Sequence, residues 1–299
     1  MRGVTSETPI QTAESVADRQ PALVLVSTPI GNLGDMTPRA VAALRDADTI
    51  LCEDTRVTGI LLAVHGLSAR LQPLHDHNEQ DRIAPLIEAM RAGRRFALVS
   101  DAGAPLIADP GYRLVRAAIE AKLDISAIPG PNAAVMALAL SGLPPHPFLF
   151  GGFLPPRSAA RRSALQRLAD AERAGLNATL IFYEAPHRLA ASLADCAAVL
   201  GDRPAAVARE LTKRFEEVRR GGLAELTANY RDVAPRGEIT LVIGPAPDHV
   251  ASDEDLDRAL TEALDTMSIK DAAAEVARRL GLPRKQVYAR ALSLRATSG

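Results

Sequence analysis

The stretch VLVSTPIGNLGDMTPRAV, Val24 to Val41, decides the fold. It opens with the β-branched and leucine residues of a buried strand, turns through Gly31 and Gly34, and restarts as a helix at Pro38. A strand that feeds a glycine-rich loop and then a helix is the start of a βαβ unit. The same loop poses a question of chemistry. A phosphate-binding loop needs Gly-Lys-Ser/Thr, and a dinucleotide loop needs G-x-G-x-x-G. Here Gly31-x-x-Gly34 is followed by Asp35, and no lysine is present.

Outward from that loop the rhythm repeats. Residues 49–53 read as a second strand, 83–92 as an amphipathic helix stopped by Gly93, and 96–100 as a strand. A helix over 112–121, a strand over 125–128 and an apolar helix over 133–140 follow. Alternating strands and helices predict a mainly parallel sheet with helices on both faces. The segment GLPPHPFLFGGFLPP is dense in Pro and Gly and reads as a linker, 142–156. A second α/β unit spans 157–245, with helices near 161–172 and after Pro186, and strands over 179–183, 205–211 and 238–243. The first α/β domain is thus 22–141, and 1–21 is a polar tail expected to be disordered. The fold class is α/β: two α/β domains with a cleft between them, plus a small helical C-terminal unit over 252–299. In that unit KDAAAEVARRLGLPRKQVYARAL fits a helix-turn-helix, with Ala273, Val276, Ala277 and Leu280 inward, Gly281 at the turn and Pro283 opening the next helix.

The chain of 299 residues is 47% hydrophobic and 24% charged, with net charge −1, so any nucleic-acid surface must be local. Trp is absent and aromatics make up 3%, which argues against a base-stacking platform. Cys52 and Cys196 lie too far apart for a metal motif or disulfide framework, and a cytoplasmic location fits. No metal is expected: His75 and His77 have no third ligand in the sequence nearby. The tail lacks the apolar core of a signal peptide, and no apolar run predicts a membrane span.

Three loops end predicted parallel strands: TPIGNLGD, SDAGAPLIADPG and PGPNAA. Ligands of open α/β sheets bind at that edge. These loops carry Asp35, Asp101 and Asp109. Carboxylates repel polyphosphate and suit an ammonium, a ribose diol or a sulfonium. S-adenosylmethionine offers all three and has no phosphate. Asp35 and Asp109 also fit turn and capping positions, Asp109 standing before Pro110-Gly111. Asp101, at a strand end beside Gly103, fits ligand contact.

Seven segments, TPIGNLGDMTPRA, CEDTR, SDAGAPLIADPGY, PGPNAA, FYEAPHRL, ARELTK and GEITLVIGP, resemble in order and spacing the ribosomal RNA small subunit methyltransferase I family of the tetrapyrrole methylase superfamily. The resemblance runs from about Ala22 to the C-terminus; DAGAPLIAD departs from the more familiar DAGTP and ISD forms. It implies two domains of tetrapyrrole-methylase type, S-adenosylmethionine in the cleft between them, a homodimer, and methylation of the ribose 2′-oxygen of a cytidine in the 16S decoding centre, within the 30S subunit.

Carried onto this sequence, the resemblance places Thr28 and Pro29 near the cofactor. It sets Asp101, Gly103 and Ala104 at its methionine or ribose part, and Asn132 and Ala133 at its methionine end. Tyr183 and Glu184 close over the adenosine, with Leu241, Val242 and Ile243 nearby. A ribose hydroxyl is a poor nucleophile, so a positioned base should help. Glu184, Glu210, Asp54 and Asp101 are the candidates, Glu184 or Glu210 foremost, with Lys213 or Arg209 to lower the hydroxyl's pKa or hold a phosphate. For RNA phosphates the basic groups Arg56, Arg157, Arg161, Arg162, Arg209, Lys213, Arg284 and Lys285 are expected. Two rivals share parts of this pattern: a tetrapyrrole carbon-methylating enzyme, and a metabolite-sensing regulator that binds nucleic acid.

Overall fold

The computed structural model describes residues 20–299 apart from 233–234, 248–252, 281 and 298–299. The expected tail lies almost wholly outside the described residues, as does the predicted turn residue Gly281. The first sheet holds β1 (Leu23–Val26), β2 (Thr49–Cys52), β3 (Leu71–Pro73), β4 (Phe96–Leu98) and β5 (Ile125–Ile128) in the order β3-β2-β4-β1-β5, all parallel. Successive side chains point to opposite faces, so β1, β2, β4 and β5 each feed two cores. Ile50 and Cys52 join Val26, Ala40, Leu44 and Leu62 on one face. Leu51 joins Leu23, Leu86, Met90, Leu98 and Leu114 on the other. Helices α1 (Pro38–Asp46), α2 (Thr55–Val64), α3 (Glu79–Arg91) and α4 (Tyr112–Glu120) supply the partners. The Thr37 hydroxyl accepts from Ala40 N and fixes where α1 begins.

Helix α5 (Ala133–Ser141) belongs to the first domain by sequence and to both by packing. Its Ala134, Ala137 and Leu138 lie against Ile181, Ala206, Ala208 and Val242 of the second sheet. That explains AAVMALALS, a helix with no polar stripe. The second sheet runs β6 (Phe148–Phe153), β7 (Thr179–Glu184), β10 (Ile239–Ile243), β8 (Pro204–Arg209) and β9 (Glu217–Gly222). Unlike the first, this sheet is mixed. Only β6 and β7 are parallel; β7, β10, β8 and β9 pair antiparallel. Its other face is covered by α6 (Ser158–Arg173), α7 (Leu189–Leu200) and α8 (Leu223–Tyr230) through Leu165, Leu189, Leu193, Cys196 and Leu226.

The expected linker 142–156 contains β6. Its glycines mark a close approach rather than a flexible connection. A Cβ on Gly151 would stand 2.5 Å from Phe182 Cε1, and Gly152 takes φ +65° where the register with β7 shifts. The pattern reading also passed over α2, β3, β9 and α8, and began α3 four residues late. At the C-terminus α9 (Asp253–Leu264), α10 (Ile269–Leu280) and α11 (Arg284–Thr297) enclose their own core of Leu256, Leu260, Ala273, Val276, Val287 and Ala291. Among the described residues no helix is long and apolar enough to cross a membrane.

Candidate active site

The strand-end loops are bound to one another before they meet any ligand. Thr28 N donates to Gly103 O at 2.9 Å, Gly103 N donates back to Thr28 O at 3.1 Å, and the Thr28 hydroxyl donates to Ser100 O at 3.1 Å. Gly103 takes φ +86° to make this turn. Thr28 is therefore 1% exposed, and with buried Pro29 it stands behind the site rather than in it. In front lies a cleft of about 270 Å³ between the domains. The first domain lines it with Ile30, Asp101, Gly103, Ala104, Ile107, Asp109, Asn132 and Ala133. The second contributes Phe153, Tyr183, Glu184, Ala208, Leu211, Glu238, Ile239 and Thr240. Asn132 caps α5 by accepting from Ala134 N and Val135 N, which fixes the PGPN turn at the cleft.

Among the described residues four carboxylates line this cleft, and no Lys, Arg or His does. Their states differ. Asp101 accepts from Asp54 N at 3.2 Å. Glu184 is 2% exposed; it accepts from Ala185 N at 2.8 Å, pairs with Arg188 at 3.0 Å and receives the Ser192 hydroxyl. Glu238 holds Lys213 Nζ at 2.9 Å. Asp109 is pushed up to about 6, by burial first and then by the charges of Glu53 and Asp101. Glu53, just past β2, is raised by burial and then by Asp101 and Asp76. The apolar wall ends in rings: Tyr183 meets Phe150 and Phe153 edge-on at 4.9 and 5.6 Å. Such a cleft excludes polyphosphate and suits a cation carrying an aromatic or apolar body.

At the rim, Glu210 stands at φ +53° and binds Lys213 Nζ at 2.9 Å and Glu238 N at 3.1 Å. Lys213 and a backbone bond to Glu238 hold Glu210 below its usual range, Lys213 first. Two glycines make room: a Cβ on Gly237 would collide with the Glu210 carboxylate, and one on Gly31 with Lys213 Cγ. Lys213 thus reaches from the second domain across the first loop of the first.

Several expected residues lie elsewhere. Leu241, Val242 and Ile243 are fully buried in the sheet core. Strand β10 is antiparallel to its neighbours, so its beginning, not its end, meets the cleft. Arg161 is 3% exposed and bound to Asp195 at 2.7 Å, so it offers nothing to a phosphate. Arg209 pairs with Glu217 at 2.9 Å, while Arg56, Arg157, Arg162, Arg284 and Lys285 are exposed. The expected cap at Asp109 is not made: Gly111 occupies the N-cap of α4, with no side-chain cap bond. Among the described residues no group of three or more His, Cys, Asp or Glu could hold a metal.

Comparison with known proteins fixes the lineage. The model of the Tetrapyrrole (Corrin/Porphyrin) Methylases matches residues 22–227, and that of the RsmI C-terminal HTH domain matches 250–295. Ribosomal RNA small subunit methyltransferase I of Mesorhizobium japonicum is 45% identical over 94% of each chain. That of Escherichia coli O157:H7 is 44% identical over 93% of this chain and 97% of its own. The chain belongs to the ribosomal RNA small subunit methyltransferase I family. Solved structures place this family's fold. Uroporphyrin-III-C-methyltransferase from Thermus thermophilus superimposes with TM-score 0.50 at 22% identity over 74% of this chain and 93% of its own. Cobalt precorrin-4 methyltransferase does so with TM-score 0.52 at 17% identity over 75% and 95%. For this member of the methyltransferase I family, sequence reasoning passed over Ile30, Phe153, Leu211 and Glu238–Thr240 in the cleft wall. GEITLVIGP announced a strand, but its direction depends on pairing that is not local.

Proposed function

We propose that the chain methylates the ribose 2′-oxygen of a cytidine in the 16S decoding centre, using S-adenosylmethionine. The observation that carries this reading is a cleft with four carboxylates and no lining cation among the described residues, in a chain whose likeness to ribosomal RNA methyltransferases extends through the C-terminal helices. The donor would bring a sulfonium-activated methyl carbon, open to attack by an oxygen lone pair. Asp101 with the backbone of Gly103 and Ala104 would hold its polar groups, Asn132 and Ala133 its methionine end, and Tyr183 with Phe153 its adenosine. Thr28 and Pro29 act from behind, by fixing the loop that bears Gly103. Glu184 is committed to Arg188 and Ser192 and shapes the wall. Lys213, held by Glu210 and Glu238, would steer a phosphate or the ribose at the rim. Exposed Arg157, Arg162, Arg284 and Lys285, with Arg56, would contact RNA phosphates.

On this reading the protein works in the cytoplasm on the assembled 30S subunit, as a homodimer. The exposed apolar residues Val57, Ile60 and Val64 of α2 fit coverage by a second copy. The test offers purified protein and labelled donor three acceptors: 30S subunits, naked 16S RNA and uroporphyrinogen. Label on a cytidine ribose of 30S subunits is the expected result. Label on uroporphyrinogen alone, or on nothing, would overturn the reading.

A further inference from the structure

The cleft carboxylates are not equivalent, and the difference bears on how a ribose hydroxyl is activated. Asp101 accepts a backbone N–H, Glu184 is enclosed by three donors, and Glu238 holds Lys213. Asp109 alone of the four has no hydrogen-bond or ion-pair partner among the described residues. It lines the cleft, half-buried, on a loop turned by two non-glycine residues in the left-handed region, Leu106 at φ +72° and Ala108 at φ +69°. Such residues are uncommon, and two just before one free carboxylate mark a loop held in a particular shape. The capping task that its place before Pro110-Gly111 suggests is not performed.

We infer that Asp109 is the proton acceptor for the ribose hydroxyl in the methyl transfer. The inference rests on the function proposed above and adds to it the base that reading leaves open. The electrons balance: the hydroxyl oxygen gains a C–O bond to the methyl carbon while the carbon–sulfur bond breaks with its pair left on sulfur, and the O–H proton passes to an Asp109 carboxylate oxygen. Partial exposure then lets that proton leave to water. The groups around Asp109 suit the task. Glu53 beyond β2 and Asp101 beyond β4 add negative charge, and Tyr183 of β7 faces it from the other domain. Burial first, and these charges second, push the acid up to about 6, so the carboxylate is basic yet ionised at neutral pH.

The experiment compares wild type, D109N and D109E in the full chain. Donor affinity is read by calorimetry, methylation of 30S subunits by label, and the pH profile of kcat/KM for the donor over the acid range. At saturating donor we expect a rate lowered by about 10²- to 10⁴-fold in D109N with partial recovery in D109E, a loss well beyond any change in donor affinity. The wild-type profile should rise through about 6 and level off, and the rise should vanish in D109N. In parallel, a carboxyl NMR titration of the donor-free wild type should give Asp109 a midpoint near 6 whatever the variants do. A D109N protein at full rate with the rise intact, donor affinity lost while the rate at saturating donor survives, or a midpoint near that of an ordinary carboxyl would each overturn the inference. Absence of methylation by wild type itself would instead sink the function proposed above.

Discussion

Asp109 holds its charge at a cost to the fold. An acid raised in the folded state favours folding fully below its unfolded value, near 4, and loses that contribution as pH climbs through its folded value. For Asp109 the window runs from about 4 to about 6. D109N should therefore match wild type in the acid range and exceed it above the window. With solvent screening of a half-exposed group the gain is on the order of 1 kcal/mol, or roughly 2–4 °C in Tm. Melting curves across the window check this; a variant less stable than wild type at neutral pH would contradict it. A gain in stability with a loss of rate is the pattern of a functional residue. The sequence made Asp101 and Asn132 readable because each follows a parallel strand, where ligands gather. Asp109 read two ways, since Asp-Pro-Gly is turn chemistry wherever it stands.

Helix α6 separates a structural arginine from a surface one at adjacent positions. Arg161 lies four residues before Leu165 and seven before Leu168, which both pack on the second core. That spacing puts it on the inward face, a signal the charge pattern hid. Its guanidinium reaches Asp195 of α7 at 2.7 Å and the carbonyls of Pro155 and Pro156 at 3.3 Å. Removing one partner of a buried pair strands the other, so R161A or D195A should cost about 3–5 kcal/mol in denaturant unfolding. Exposed Arg162 should behave oppositely. R162A should leave unfolding within about 0.5 kcal/mol of wild type, while weakening RNA binding and lowering its salt dependence by about one counterion. Equal stability losses in both variants would refute the distinction. The C-terminal helices were legible for the converse reason: Ala273, Val276, Ala277 and Leu280 repeat cleanly, and among the described residues no buried charge interrupts them.

At the scale of the molecule, the two sheets share one helix and enclose one cleft. Most of the first sheet was readable because parallel strands alternate with helices and the inner strands β2 and β4 are buried on both faces; the partly exposed edge strand β3 was missed. In the second, β7, β8 and β10 were readable as strands but their directions were not, because direction is set by long-range pairing, and β6 hides in a glycine- and proline-rich segment. Helix α5, apolar on every side, carries the coupling: whatever binds beside its N-terminus touches both domains at once. The cleft's carboxylates then choose the ligand's charge. Calorimetric titration of the full chain with S-adenosylmethionine and, separately, with ATP measures that choice. The expected result is saturable binding of one donor per chain and no binding of ATP. Tight binding of ATP without affinity for the donor would contradict it.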